Sequence, residues 1–448
     1  MIDYSLLFAV LAGIAILLIL ILYFKIQAFL SLLMASIAVG LLAGMPGMMI
    51  IENIQKGMGS TLGYIAVVVG LGAMFGAILE SSGGVQSLAD YILSKTGEKR
   101  ASWALTATGF LVSIPVFFDV GFVILVPVVY ALQKKTGKSL LYYGLPLLAG
   151  LAVTHAFIPP TPGPVAVASI LGADLGLVIL AGFIAGIPAA IIAGPVFAGY
   201  ISKKIHVETP SFIESEVSYS KIPSPGIILA LVGLPLFLIL INTYLDSPLG
   251  ANIPITEGIK NGFKMLGHPF VALILANLLA WYLLGIKKGF SKAELLAITS
   301  SSLGTAGVII LITGAGGVFK QILTETGAGK MMAELMMNYG FSALFFAFLA
   351  AAAIRIMQGS ATVAMITASG MTAAFIEDSV YTNWQKALLV IAIAAGASIL
   401  SHVNDSGFWL VNKYFGLTEK QTLRSWTVAT TLIAITGFCM VLLMSIWT

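Results

Sequence analysis

The chain has 448 residues, of which 59% are hydrophobic and only 9% charged. Water-soluble domains carry roughly 25% charged residues, so a soluble globular protein is excluded. The net charge of +4 reads as loop lysines, not as a nucleic-acid-binding surface, and the single cysteine, Cys439, excludes an internal disulfide framework.

The first apolar run, "YSLLFAVLAGIAILLILILYF" (Tyr4 to Phe24), comes before its basic residue, Lys25. A cleavable signal carries its charge in front, so this run reads as a membrane-spanning helix. About 20 helical residues cross a bilayer core, and by that measure about eleven spanning segments follow one another. Next comes "MFGAILESSGGVQSLAD" from Met74, whose acid, Glu80, is expected in water at the membrane interface.

The segment Ser102–Tyr130 lies between "SKTGEKR" and "QKKTGK". Basic flanks stay cytoplasmic, so both ends are on one side. Its middle, "SIPVFFDVG", has Pro115 and Gly121 to interrupt a helix, which predicts a re-entrant hairpin. The stretch "THAFIPPTPGP" (Thr154 to Pro164) contains four prolines and cannot be a continuous helix. The longest polar stretch, Ser202 to Gly226, is too short to bury a core.

The second half repeats the first. In "VFKQILTETGAGKMMAE" (from Val318), Phe319, Ile322, Leu323 and Gly327 lie 244 residues after Phe75, Ile78, Leu79 and Gly83. The same offset sets "QGSATVAM" (from Gln358) opposite "IPVFFDVG" (from Ile114). A small slip pairs "AGLAVTHA" (from Ala149) with "AGASILSHV" (from Ala395). Around the second hairpin the flanks carry Glu325, Lys330 and Glu334, then Glu377, Asp378 and Lys386. Each set sums to −1, so both read as external.

The expected fold is therefore an all-α polytopic membrane protein. It has two inverted-topology repeats, each with a re-entrant helical hairpin and a discontinuous transmembrane helix. The divisions are N-terminal scaffold helices (1–60), a first transport repeat (61–201), a cytoplasmic linker (202–225), further scaffold helices (226–302) and a second, inverted repeat (303–448). Both termini are expected to be external.

This is the architecture of secondary transporters, which bind substrate near the midplane where helix ends meet. The expected site gathers the two tips and the two breaks, the second break being "SHVNDSG" (Ser401 to Gly407). Substrate-binding candidates are Ser113, Asp119, Gly121, Thr154, His155, Thr161, Arg355, Gln358, Gly359, Ser360, Thr362, Ser401 and Asn404. Proton-coupling candidates are Asp119, His402 and Asp405. A carboxylate inside a membrane is costly and therefore points to function, although Asp119 also suits a helix cap. His402 with Asp405 is a protonatable pair or a structural one. Arg355 is a fork for a substrate carboxylate or for Asp119 or Asp405. No HExxH or GxSxG motif indicates an enzyme, and no cofactor or metal is expected.

The chain resembles the gluconate permease (GntP) family of proton-coupled symporters. The resemblance rests on "GAGGVFKQIL" (from Gly314), "GSATVA" (from Gly359) and "SHVNDSGFWL" (from Ser401), and extends through "GYIAVVVGLGAMFGAILESSG" and "THAFIPPTPGP". It implies uptake of gluconate or a related small sugar acid with protons across a bacterial inner membrane. It also implies an elevator-type movement and a homodimer. Members handling D-serine share the skeleton, and broken-helix carbonyls also suit sodium coupling. Many members carry Glu at the position of Asp119 and His at that of Thr161.

Overall fold

The computed structural model describes residues 4–97, 100–210, 222–246, 256–327, 342–373, 376, 381–403 and 405–446. Lys330, Glu334, Glu377, Asp378 and Asn404 lie outside them. The described residues form α1 (Tyr4–Leu18), α2 (Ala28–Leu42), α3 (Gly47–Ser81), α4 (Gly84–Thr96), α5 (Ala101–Val112), α6 (Phe118–Thr136), α7 (Leu140–Phe157) and α8 (Pro162–Leu171). They continue with α9 (Leu175–Ile201), α10 (Pro225–Asp246), α11 (Glu257–Gly267), α12 (Pro269–Ala280), α13 (Lys292–Glu325), α14 (Ala343–Gln358), α15 (Ala361–Ala373), α16 (Asn383–Ser398) and α17 (Ser406–Phe415). The last is α18 (Glu419–Ser445). No strand occurs among the described residues.

Seven stretches among the described residues are long and apolar enough to cross a membrane, one of them the interrupted span Leu140–Leu171. The protein is a multi-pass membrane protein. The eleven or so spans expected from apolar length exceed that number because several apolar runs are broken. α5, α14 and α15 stop after 12, 16 and 13 residues, too short to cross alone. α3 and α13 run unbroken through positions 60–61 and 302–303, so those two expected divisions fall inside single helices.

Turn chemistry explains the breaks. Gly83, Gly137, Gly172, Gly359 and Gly416 adopt left-handed backbone angles, which only glycine enters without penalty, and end helices there. α13 and α16 open with reciprocal capping boxes, Ser291 with Glu294 and Thr382 with Gln385. α8 and α17 are ten residues each, starting at residues 162 and 406, and both end on a left-handed glycine.

The core is built on backbone contacts. A Cβ on Gly109 would meet the Leu147 carbonyl oxygen at 2.3 Å, and one on Gly150 would meet that of Thr106 at 2.3 Å, so α5 and α7 touch main chain to main chain. In the second half a Cβ on Gly396 would meet the Phe348 carbonyl oxygen at 2.2 Å, joining α14 to α16 in the same way. α3 and α13 run antiparallel: Asn53 meets Gln321, Gly57 meets Val318, Met58 meets Gly314 and Gly70 meets Leu303. Small residues permit such approaches where lipid supplies no hydrophobic drive between helices.

Candidate functional site

The four interruptions converge on one cavity of about 730 Å³, well inside the usual range for small-molecule sites. Its wall includes Phe117–Val120 from the first tip, His155, Pro162 and Gly163 from the first break, Gln358–Thr362 from the second tip, and Asp405–Gly407 from the second break. The first turns of α6, α8, α15 and α17 therefore all border it. The free amides of a first turn carry partial positive charge and favour anions; in α8, Pro162 and Pro164 lack an N–H and leave only the Gly163 amide.

The first tip is shaped by Ser113, whose hydroxyl donates to the Val116 carbonyl at 3.0 Å. A Cβ on Gly76 would sit 2.2 Å from the Pro115 carbonyl oxygen, so the tip rests directly on α3. Asp119 follows in the first turn of α6. It is exposed to the cavity and its carboxylate has no hydrogen-bond or ion-pair partner among the described residues. Gly121 faces away, packed against Leu151.

In the first break the Pro159–Pro160 bond is cis, and the Thr161 hydroxyl donates to the Ile158 carbonyl at 2.6 Å. His155 borders the cavity, 5.9 Å from the Phe117 ring. Among the described residues its Nδ1 and the hydroxyl of the buried Thr154 have no hydrogen-bond partner.

The second tip and second break are tied together. Arg355 Nη2 donates to Asp405 Oδ2 at 2.5 Å, and Nη1 donates to the Gly359 carbonyl. The other guanidinium nitrogen, Nε, is buried without a partner. Asp405 also accepts from the Ser401 hydroxyl and, as the cap of α17, from the Gly407 amide at 3.0 Å. Trp426 Nε1 donates to Ser401 Oγ at 2.8 Å and its ring stacks on Phe118, 5.6 Å between centroids, linking this network to the first tip.

Of the expected site residues, the structure brings Asp119, His155, Arg355, Gln358, Gly359, Ser360, Thr362 and Asp405 to the cavity wall. Ser113, Gly121, Thr154, Thr161 and Ser401 lie behind it as packing or bracing groups. His402 also lies behind it, with Nε2 against the Ile356 carbonyl at 2.7 Å. His402 and Asp405 thus take separate side-chain partners. Arg355 is engaged with Asp405, and the Gly359 amide with the Arg355 carbonyl at 2.9 Å, which leaves the Ser360, Ala361 and Thr362 amides at the head of α15. Ser360 Oγ caps that helix, accepting from Val363 N at 3.3 Å.

Glu80, Ser301, Ser302 and Trp426 also border the cavity. Glu80 carried no clear signal, since an acid at the end of an apolar run normally meets water. Trp426 carried none, because only the fold returns α18 to the first tip.

A family model described as GntP family permease matches residues 5–447. A gluconate permease of Pseudomonas aeruginosa is 39% identical over 434 residues, covering 96% of this chain and 95% of that protein. The Gnt-II system L-idonate transporter of Escherichia coli is 39% identical over 432 residues, covering 96% and 97%. Among solved structures, the YdaH transporter of Alcanivorax borkumensis superposes with a TM-score of 0.60 at 14% identity, covering 89% of this chain and 87% of that one; that likeness concerns fold.

Proposed function

The chain belongs to the GntP family of permeases, a family of transporters and not of enzymes, and on that premise we propose that it is a proton-coupled symporter. Its substrate is gluconate or a closely related small sugar acid, entering across the bacterial inner membrane. The observation that carries this is the cavity itself: four helix N-termini border a space of about 730 Å³, with Asp119 in its wall and without a hydrogen-bond or ion-pair partner among the described residues.

The substrate carboxylate meets the Ser360–Thr362 amides at the head of α15. Its hydroxyls donate to Asp119, which as an ionised carboxylate only accepts, and exchange hydrogen bonds with Ser360 and Thr362. The Arg355–Asp405 pair holds the second tip in register with the second break and does not bind substrate. A single negative charge moving against a negative interior costs about 2.3 kcal/mol per 100 mV, and one proton carried with it cancels that term. The antiparallel course of α3 and α13, which share their position in the two halves, supports an inverted repeat, and with it an elevator-type movement. A homodimer completes the proposal.

Uptake of labelled gluconate into proteoliposomes under an imposed inward proton gradient tests the reading. Accumulation is expected, and it disappears when the gradient is collapsed. Accumulation that persists without the gradient, or that follows sodium, refutes proton coupling. Absence of both accumulation and exchange refutes a sugar-acid carrier.

A further inference from the structure

We infer that Glu80, and not Asp119, carries the proton that accompanies the substrate. The inference rests on the proton-symport reading above and assigns the proton to one residue within it.

Two carboxyl groups border the cavity without a hydrogen-bond or ion-pair partner among the described residues, Glu80 and Asp119. The third, Asp405, is held by Arg355, Ser401 and the Gly407 amide. Glu80 and Asp119 stand at opposite helix poles. Asp119 is the second residue of α6, where the amide end attracts a negative charge. Glu80 is the penultimate residue of α3, half-buried, where the carbonyl end repels one. Opposed environments of this kind suit two acids to different roles.

The amide end of α4 begins four residues on, at Gly84, so what sets Glu80 apart is its half-buried place at the cavity with no hydrogen-bond or ion-pair partner among the described residues. Across the cavity α13 offers only the hydroxyls of Ser301 and Ser302. The remaining charged or titratable groups of the wall are Asp119 on α6, His155 on α7, Arg355 on α14 and Asp405 at the head of α17, and Arg355 is engaged by Asp405. On the adjoining α4, Asp90 accepts from Gln86 at 2.9 Å. No cation among these is free to hold Glu80 as a carboxylate. In the step proposed, the Glu80 carboxylate takes one proton from the side of entry. The proton on Glu80 and the bound anion add no net charge to the crossing, and the proton leaves to water on the far side after the substrate.

The experiment uses the full-length protein in proteoliposomes with labelled gluconate, reading both gradient-driven accumulation and gradient-free exchange. Wild type accumulates, and its exchange varies with pH. Glu80→Gln is expected to lose accumulation, inside and outside concentrations equalising. Its exchange persists at a reduced rate and no longer varies with pH. Glu80→Asp restores accumulation. Asp119→Asn is expected to raise the KM of accumulation about tenfold while accumulation at saturating gluconate remains. Accumulation by Glu80→Gln at the wild-type ratio overturns the inference, as does loss of both exchange and accumulation with both restored in Glu80→Asp, which places Glu80 on the substrate. Failure of wild type to accumulate refutes the symporter reading instead.

Discussion

Replacing Arg355 with methionine isolates the buried ion pair that joins the second tip to the second break. Arg355 is 5% exposed and the residue it meets, Asp405, is 8% exposed, with 2.5 Å between Nη2 and Oδ2. Methionine fills much of the volume but leaves Asp405 a buried charge with only Ser401 and Gly407 as donors. Stranding one member of a buried pair costs 3–5 kcal/mol. Asp405 borders a cavity that admits water, so the lower figure, about 3 kcal/mol, is expected. At 1.4 kcal/mol per decade that is roughly a hundredfold shift in the unfolding equilibrium. Asp405→Asn alone costs about 2 kcal/mol, because its single amide oxygen keeps one of the two acceptor positions that serve the Ser401 hydroxyl and the Gly407 amide. The double variant is expected to fall short of the summed losses by about 2 kcal/mol, since neither charge is then stranded. Reversible unfolding by sodium dodecyl sulfate in mixed micelles measures all three. Additivity within about 0.5 kcal/mol, or a cost for Arg355→Met under about 1 kcal/mol, would show that the pair does not hold the tip.

Further outcomes follow from the packing. Gly150→Val brings a Cβ within 2.3 Å of the Thr106 carbonyl oxygen and 2.7 Å of the Phe110 nitrogen, and since neither is a movable side chain the same titration should read a loss of about 3 kcal/mol. Gly199 has open space at its Cβ, so Gly199→Ala should be stabilising by up to about 1 kcal/mol. Lys56 pairs with Glu325 at 2.9 Å but its side chain is 64% exposed, and Lys56→Ala should change stability by less than about 1 kcal/mol. Trp426→Phe keeps the ring stack on Phe118 and removes only the hydrogen bond to Ser401, a loss of about 1 kcal/mol in the micelle assay.

The sequence was most legible where local chemistry is decisive. Prolines and glycines at Pro115, Pro159, Pro160 and Gly359 announce interrupted helices whatever surrounds them, and a 244-residue offset is visible to simple matching. Convergence of the tips and breaks followed from repeat logic. Which side chain faces inward did not. Ser401 and Thr161 resemble ligand groups by type, yet each is spent on bracing the backbone of its own break. The partnership of Arg355 with Asp405 spans 50 residues, and no spacing rule chooses it over Asp119. Glu80 looked like an interfacial acid because the end of an apolar run normally meets water. The cavity reaches that end of α3, and only three-dimensional placement reveals it.

The charge inventory of the cavity wall has a bearing on leakage. Three carboxyl groups face one guanidinium there, so a lone anion that wanders in meets repulsion from Glu80 and Asp119 before the helix amides can hold it. On the proposed reading, neutralising Glu80 removes part of that barrier, and tight coupling needs no separate latch. On the same proposal, slippage of substrate down its own gradient without a companion proton is suppressed by the side chains that line the route.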